Sequence, residues 1–260
     1  MKLTFLGTGT SYGVPVIGCR CRVCLSADPR DNRCRPCALL NVGDKALLID
    51  AGPELRIQSL RFGIGRVDAV LLTHAHADHI FGLDDLRAFN VIASRAIDVH
   101  AGPHTCEEVR RRFEYIFTDT QAGGGKPRLN LRPVRGRFRA AGSVEVLPVP
   151  VLHGALPVLG YRIGGLAYIT DASRIPADSM GMLAGLEVLV IGALRPSPHP
   201  THMNIPRALE VSRRLAPRIT YFTHLTHDVA HGEMESRLPA GVRLAYDGLS
   251  VECADPQPAT

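Results

Sequence analysis

Apolar residues fall into short runs separated by Gly, Pro and Asp rather than into long helical stripes. KLTFLG (2–7), CALLNV (37–42), KALLID (45–50), DAVLLT (68–73), AIDVHA (96–101), SVEVLPVPV (143–151), LGYRI (159–163), LAYIT (166–170), EVLVIG (187–192), RITYFTH (218–224) and VRLAYDG (242–248) read as strands. Helical spacing follows Pro53, Ala77, Pro103, Ile175, Asn204 and His231, and HIFGLDDLRAF (79–89) reads as one helix. Hairpin-like strands come first and βα units second, and the later half of the chain has the same order. The pattern predicts one α/β domain over residues 1–260, with two packed sheets and helices outside. The segment 118–130, TDTQAGGGKPRLN, reads as a mobile loop. GTGTSYGVP (7–15) follows a strand but opens no helix, so it is weak as a phosphate loop.

The stretch LLTHAHADHIFGL (71–83) sits where a strand turns into a helix, and it carries His74, His76, Asp78 and His79. Strand ends in α/β sheets form ligand-binding crevices. In an extended turn His74 and His76 point the same way, while Asp78 and His79 turn into the helix start and face a second point. Imidazole and carboxylate at two points suit two cations, with Zn and Mn the expected metals. Further ligands have to come from other strand ends. His153, Asp171 and His224 each follow a β-rich run, and the full set is five histidines and two aspartates.

Hydrophobic residues make up 45% of the chain, enough for a sizeable core, and no stretch approaches the ~20 apolar residues of a membrane span. The N-terminus lacks the apolar core of a secretory signal, so a cytoplasmic location and no membrane partner are expected. The net charge of +5 is almost all arginine and tolerates an anionic substrate without requiring one. No run of like charge is long enough to suggest a nucleic-acid partner, and a homodimer is compatible with the sequence.

THAHADH (73–79), His153, TDAS (170–173) and THLTH (223–227), with LLIDAG (47–52) ahead of them, resemble the metallo-β-lactamase superfamily in residue and order. The resemblance spans essentially the whole chain. It implies a four-layer αββα fold, with one metal on His74, His76 and His153 and the other on Asp78, His79 and His224. Asp171 would bridge them, an attacking hydroxide would sit between, and Asp50 would orient a ligand histidine.

GCRCRVC (18–24) adds Cys19, Cys21 and Cys24. Disulfides, a redox pair and a zinc knuckle compete as readings. Seven cysteines without a secretory signal argue against disulfides. Zinc needs four ligands, and His227 can be the fourth. C-x-C-x2-C near the start and THxxH near the end are similar to PhnP-like phosphodiesterases, as are GTGTSYGVPVIGCRCRVC and AYDGLSVE. That resemblance implies two catalytic Zn²⁺ or Mn²⁺, one structural Zn²⁺, and a small phosphodiester, cyclic phosphate or nucleotide as substrate. It implies catalytic roles for Asp78 and for His202, the latter protonating the leaving oxygen as a group of near-neutral pKa. Cys34 and Cys37 form no second metal site on this reading, and Cys106 and Cys253 are structural. The competing functions are a tRNA 3′-processing nuclease, a thioesterase or lactonase, and a non-catalytic PQQ-biosynthesis-like carrier. The first would carry a protruding arm, and the last would lack catalytic ligands.

Overall fold

The computed structural model describes residues 1–119 and 125–255. Strands β1 (Lys2–Gly7), β2 (Cys37–Val42), β3 (Lys45–Ile49), β4 (Ala69–Leu71), β5 (Ile97–Ala101) and β6 (Leu129–Pro133) belong to one sheet. Strands β7 (Phe138–Ala140), β8 (Val144–His153), β9 (Leu156–Ile163), β10 (Leu166–Ile169), β11 (Val188–Gly192), β12 (Ile219–Thr223) and β13 (Val242–Leu244) form the other. The last strand, β14 (Ser250–Glu252), returns to the first sheet and pairs antiparallel with β1. The strand orders are β14-β1-β2-β3-β4-β5-β6 and β13-β12-β11-β10-β9-β8-β7. Each sheet begins antiparallel and ends with parallel pairs, β3 to β6 in one and β10 to β13 in the other.

Helices α1 (Leu55–Arg61), α2 (Ala77–Ile80), α3 (Leu86–Ala93), α4 (Pro103–Arg112) and α5 (Glu114–Phe117) accompany the first sheet. Helices α6 (Ala177–Met182), α7 (Ile205–Leu215) and α8 (His231–Glu235) accompany the second. Three apolar layers result. Leu47, Ile49, Tyr161, Tyr168 and Val190 meet between the sheets. Leu48, Val70, Phe89 and Val109 pack under the first helical layer, and Leu189, Ile191, Ala208 and Phe222 under the second. Leu47 and Leu48 therefore face different layers. Strands covered on both faces read as continuous apolar runs, which is why these segments did not alternate. Among the described residues no helix is long and apolar enough to cross a membrane.

Two expectations need correction. The single helix over 79–89 is broken: α2 ends at Ile80, a 3₁₀ turn spans Leu83–Asp85, and α3 begins at Leu86. The break lies at Gly82, where a Cβ would come within 2.0 Å of the Gly52 carbonyl oxygen. Gly52 is pressed in turn against the Asp78 carbonyl, 2.3 Å from where its own Cβ would stand. Two glycines thus let the turn that carries His74 to His79 lie directly on the chain that follows β3. The loop expected over 118–130 ends sooner, since Leu129 and Asn130 belong to β6, and its residues 120–124 lie outside the described residues. Strands β6, β7 and β14 were not expected; they lie at or near sheet edges, and exposed edges need no apolar run.

Asp247, in the segment leading into β14, ties the chain's ends together. It accepts hydrogen bonds from the Thr8 amide (2.9 Å), the Thr8 hydroxyl (2.7 Å) and the Cys34 amide (2.7 Å). Burial nevertheless pushes its carboxyl up from 3.8 to about 6. Between those values the folded protein binds more protons than the unfolded chain, so this group makes stability fall as pH rises from 3.8 to about 6. Asp247→Asn removes that contribution. The wild-type-minus-variant difference in unfolding free energy should decline across this window and be flat outside it; parallel pH profiles would refute the assignment.

Candidate metal centres

The side chains singled out in the sequence converge at one edge of the sandwich, where the carboxyl ends of both sheets meet. His74 and Thr73 follow β4, His153 ends β8, Asp171 follows β10 and His224 follows β12. β8 lies antiparallel to β9, and β9 to β10, so β8 and β10 end at the same edge. The Leu159 amide donates to the Thr73 carbonyl (3.1 Å), and the Tyr161 hydroxyl to the Leu72 carbonyl (2.6 Å). These two bonds lock the sheets together just beneath the site.

Asp50, Asp171 and His224 all have positive φ, at 60°, 51° and 60°. Each is the point where the chain turns off its strand. Left-handed backbone is uncommon for residues other than glycine, though Asp and His tolerate it better than most, and such strain clusters at functional sites. The turn aims each side chain across the edge instead of along the strand.

Two groups of donor atoms result. His74, His76, His153 and Asp171 have ligand atoms within 4.8 Å of one another, as do Asp78, His79, Asp171 and His224. Asp171 belongs to both. Its Oδ2 lies 3.9 Å from His74 Nε2, and its Oδ1 lies 3.2 Å from His224 Nε2 and 3.5 Å from His79 Nε2. All these residues are buried except His76, which is exposed at the mouth. Burial and then the neighbouring His79 hold His74 well below the ordinary imidazole range. Burial opposes charge on His79, but Asp171 and Asp50 outweigh it and raise that imidazole well above its usual value. Burial likewise opposes charge on Asp171, yet His224 and His79 keep its carboxyl well below the normal range.

The donor chemistry fits divalent cations. His79 Nε2 and both His224 ring nitrogens are buried without a hydrogen-bond partner. His79 Nε2 and His224 Nε2 both lie 3.2–3.9 Å from oxygens of Asp78 and Asp171, outside hydrogen-bond geometry, as expected of atoms aimed at a common point. Orphaned buried polar atoms are costly, and a cation shared by the group would satisfy His79 Nε2 and His224 Nε2 together. The far nitrogens are fixed as well. His79 Nδ1 meets Asp50 Oδ2 at 2.7 Å, and His153 Nδ1 lies 2.7 Å from the Thr201 carbonyl, to which it donates. Asp50 also accepts from the Thr73 amide at 2.8 Å. Such partners set the tautomer and ring orientation of a ligand histidine. Asp50 thus stands where the sequence placed it. The part of Thr201 was missed, since a backbone carbonyl leaves no mark in the side-chain pattern.

His202 lies against this cleft. Its ring stacks on His224 with centroids 4.9 Å apart, meets His153 edge-on at 4.5 Å, and brings Nδ1 to 3.9 Å from Asp171 Oδ2. The expectation of a near-neutral pKa does not hold for the free protein: burial, then His224, pushes it down to about 3. At pH 7 the ring is a neutral imidazole.

A second cluster joins the N-terminal loop to the segment after β12. The sulfurs of Cys19, Cys21 and Cys24 lie 3.3, 3.5 and 3.4 Å from His227 Nδ1. A zinc tetrahedron with Zn–S of ~2.3 Å and Zn–N of ~2.0 Å has S···N edges of about 3.5 Å, so four ligands already stand at the right separations. The Cys24 amide donates to Cys21 Sγ and the Val16 amide to Cys24 Sγ, at 3.4 and 3.3 Å. The first of these, the largest influence on it, draws the Cys21 thiol down to about 6. Cys34 is half-buried, while Cys37, Cys106 and Cys253 are buried, and none of the four joins a donor cluster among the described residues.

Residues 45–225 match the family described as Beta-lactamase superfamily domain. A solved diphosphatase of the PhnP family is 42% identical and superposes with a TM-score of 0.91, covering 98% of each chain. An octanoyltransferase of Porphyromonas gingivalis is 39% identical over 255 residues, which are 96% of this chain but 51% of that protein. The chain therefore spans about half the length of that relative. The coenzyme PQQ synthesis protein B of Methylobacterium nodulans is 30% identical, with 73% of this chain and 72% of that protein covered.

Cys21→Ser tests the knuckle. A closed zinc site contributes folding free energy directly, so the variant should lose one zinc per chain and melt at a lower temperature. Unchanged zinc content and melting would show that the cluster holds no metal.

Proposed function

We propose, for a chain that belongs to the beta-lactamase superfamily, that the reaction is metal-dependent hydrolysis of a phosphoric diester in a small cyclic phosphate or nucleotide. The observation that carries this reading is the division of one buried carboxylate, Asp171, between two donor groups, with His202 at the lip of the same cleft. The PhnP-family diphosphatase, 42% identical along nearly the whole chain, supports phosphorus as the atom attacked. It also favours a second form of the reading, cleavage of a P–O–P link, for which the same residues serve.

His74, His76, His153 and Asp171 would hold one Zn²⁺ or Mn²⁺, and Asp78, His79, His224 and Asp171 the other. A bound cation pair supplies Lewis acidity, lowering the pKa of water and offsetting charge on a phosphoryl oxygen. The chain's own residues do the rest. Asp50 and the Thr201 carbonyl keep His79 and His153 in a single tautomer. The buried walls limit the water that reaches the donors. In the net reaction the oxygen of one water bonds to phosphorus, and the bond from phosphorus to the departing oxygen breaks with its electron pair. His202, facing that oxygen, passes it a proton and recovers one from solvent. A neutral His202 in the free site gains proton affinity when an anionic phosphoryl group faces it.

Two rivals have less support. Between His153 and Asp171 the chain forms β9 and β10, so no protruding arm stands between those two residues. None of the donor residues is replaced, as would be expected of a non-catalytic carrier.

The test is a screen of metal-replete protein against phosphodiesters, thioesters and lactones. Wild type should carry about two exchangeable cations beyond the knuckle zinc and turn over phosphodiesters first. Asp171→Ala should lose turnover and cations while staying folded; preference for a thioester or lactone would overturn the reading.

Leaving-group chemistry tests His202 separately. A proton donor matters most for a poor leaving group such as a ribose alkoxide. His202→Ala should lower the rate on a 2′,3′-cyclic nucleotide by ~10²–10⁴-fold. It should affect bis(p-nitrophenyl) phosphate far less, because nitrophenolate leaves unprotonated. Equal losses with metal content intact would reassign His202 to positioning, and loss of metal would make it a ligand.

A further inference from the structure

His76 is the exposed member of the first donor group, and its ring is the least fixed of the three histidines there. His74 has Nδ1 3.0 Å from Thr73 Oγ1, and His153 has Nδ1 bonded to the Thr201 carbonyl. His76 turns Nδ1 inward, 2.8 Å from His74 Nε2, as two atoms aimed at one point do. Among the described residues its Nε2 meets no partner.

His76 is held by its backbone instead. Its carbonyl accepts from the His79 amide at 3.0 Å, at the first turn of α2. The peptide on its other side presents the Ala75 carbonyl, and that oxygen accepts from a guanidinium nitrogen of Arg112, at the end of α4. No backbone amide among the described residues competes for it.

Arg112 is itself restrained. Its other terminal nitrogen donates to Glu108 Oε2 at 2.8 Å, one turn back along α4. Beside it Phe113 meets Phe81 edge-on, with centroids 5.9 Å apart and planes at 89°, and the Tyr115 hydroxyl donates to Asp84 Oδ1 at 2.6 Å. The corner between α4 and α5 therefore grips the segment from Ala75 to Asp84 at three points. A guanidinium presents its donors in a rigid planar fork, so Glu108 on one arm constrains where the other arm meets the Ala75 carbonyl.

We propose that Arg112 is a positioning residue for the first cation: by holding the peptide between Ala75 and His76, it keeps the exposed imidazole aimed at the point that His74, His153 and Asp171 share. It acts through the backbone and not as a ligand. The inference rests on the first donor group holding a cation, and not on which ester is cleaved. Charge and position predict opposite effects. A guanidinium repels a divalent cation, so by charge alone its removal would tighten binding. If Arg112 positions His76, its removal weakens binding, because losing a partner that orients a ligand typically costs ~10–100-fold in metal affinity.

The experiment titrates Mn²⁺ into the full chain after dialysis against a chelator, and reads free Mn²⁺ by electron paramagnetic resonance. Soft thiolates disfavour Mn²⁺, which keeps the cysteine cluster out of the signal. Wild type should bind about two Mn²⁺ per chain, one for each donor group. Arg112→Ala should weaken one of the two by ~10–100-fold, and Arg112→Lys should recover part of the loss. Arg111→Ala removes the neighbouring guanidinium on Glu108 and should bind as wild type does. In a His76→Ala background, Arg112→Ala should add nothing, because two changes along one path are not additive. Binding that is unchanged or tighter in Arg112→Ala, a loss shared equally by Arg111→Ala, or a loss undiminished in the His76→Ala background would each overturn the assignment. A wild type that takes up no Mn²⁺ would overturn it differently, by leaving Arg112 no cation to position.

Discussion

Buried imidazole in excess of buried carboxylate is the constraint around which this molecule is organised. His74, His79, His153 and His224 are withdrawn from water beside only three carboxylates, Asp50, Asp78 and Asp171. Asp50 is already committed to His79 Nδ1 and to the Thr73 amide. His79 Nε2 and His224 Nε2 are left without a hydrogen-bond partner. Burying polar atoms without partners costs free energy, so the edge is built for a charge that the polypeptide does not supply. Divalent cations held by these donors would resolve the excess.

The arrangement demands rigidity, because donors drawn from four strands and two sheets must meet within a few ångströms. Left-handed backbone at Asp50, Asp171 and His224 costs of the order of 1–3 kcal/mol at each position. It persists because strands buried on both faces hold the turn points. Tyr161 and Leu159 of the second sheet bond to the carbonyls of Leu72 and Thr73 in the first, so the sheets cannot slide without dislodging His74. Gly52 and Gly82 allow the metal turn to lie flat on the chain after β3. Stability and function meet here in the same contacts.

Much of this was legible in the sequence, for physical reasons. Strands covered on both sides announce themselves as dense apolar runs, so KALLID, EVLVIG and RITYFTH sit close to their observed bounds. The five histidines and two aspartates were visible because each follows such a run, and strand ends are where such clefts open. Edge strands such as β6 carry too few apolar residues to stand out. The break at Gly82 depends on a backbone contact with Gly52, thirty residues earlier in the chain, which no local pattern encodes. The pKa of His202 likewise depends on burial and then on His224, so residue type alone could not show that it falls below the near-neutral range.

The knuckle gains meaning from its neighbours. His224 and His227 stand three residues apart, the first in the donor group with Asp78, His79 and Asp171 and the second beside Cys19, Cys21 and Cys24. The segment after His224 has little regular structure of its own. Arg33 holds it from beneath, with no side-chain exposure, through the carbonyls of Thr226 (3.1 Å) and Val229 (2.8 Å) and the carboxylate of Asp31 (3.0 Å). Asp31 also accepts from the His231 amide at 2.8 Å. A buried ion pair is weak as a source of net stability, because desolvation consumes most of its Coulombic gain. Its value lies in direction: a planar guanidinium with fixed acceptors permits one path for the backbone and penalises others. Zinc on the knuckle would add a covalent-strength constraint at the next turn. Both devices act on the segment just after His224, which, like Asp171 and unlike Asp78 and His79, lies outside the helix start at α2. His224 leaves the end of β12, and the irregular segment that follows it is therefore fixed by Arg33 and by the cysteine cluster.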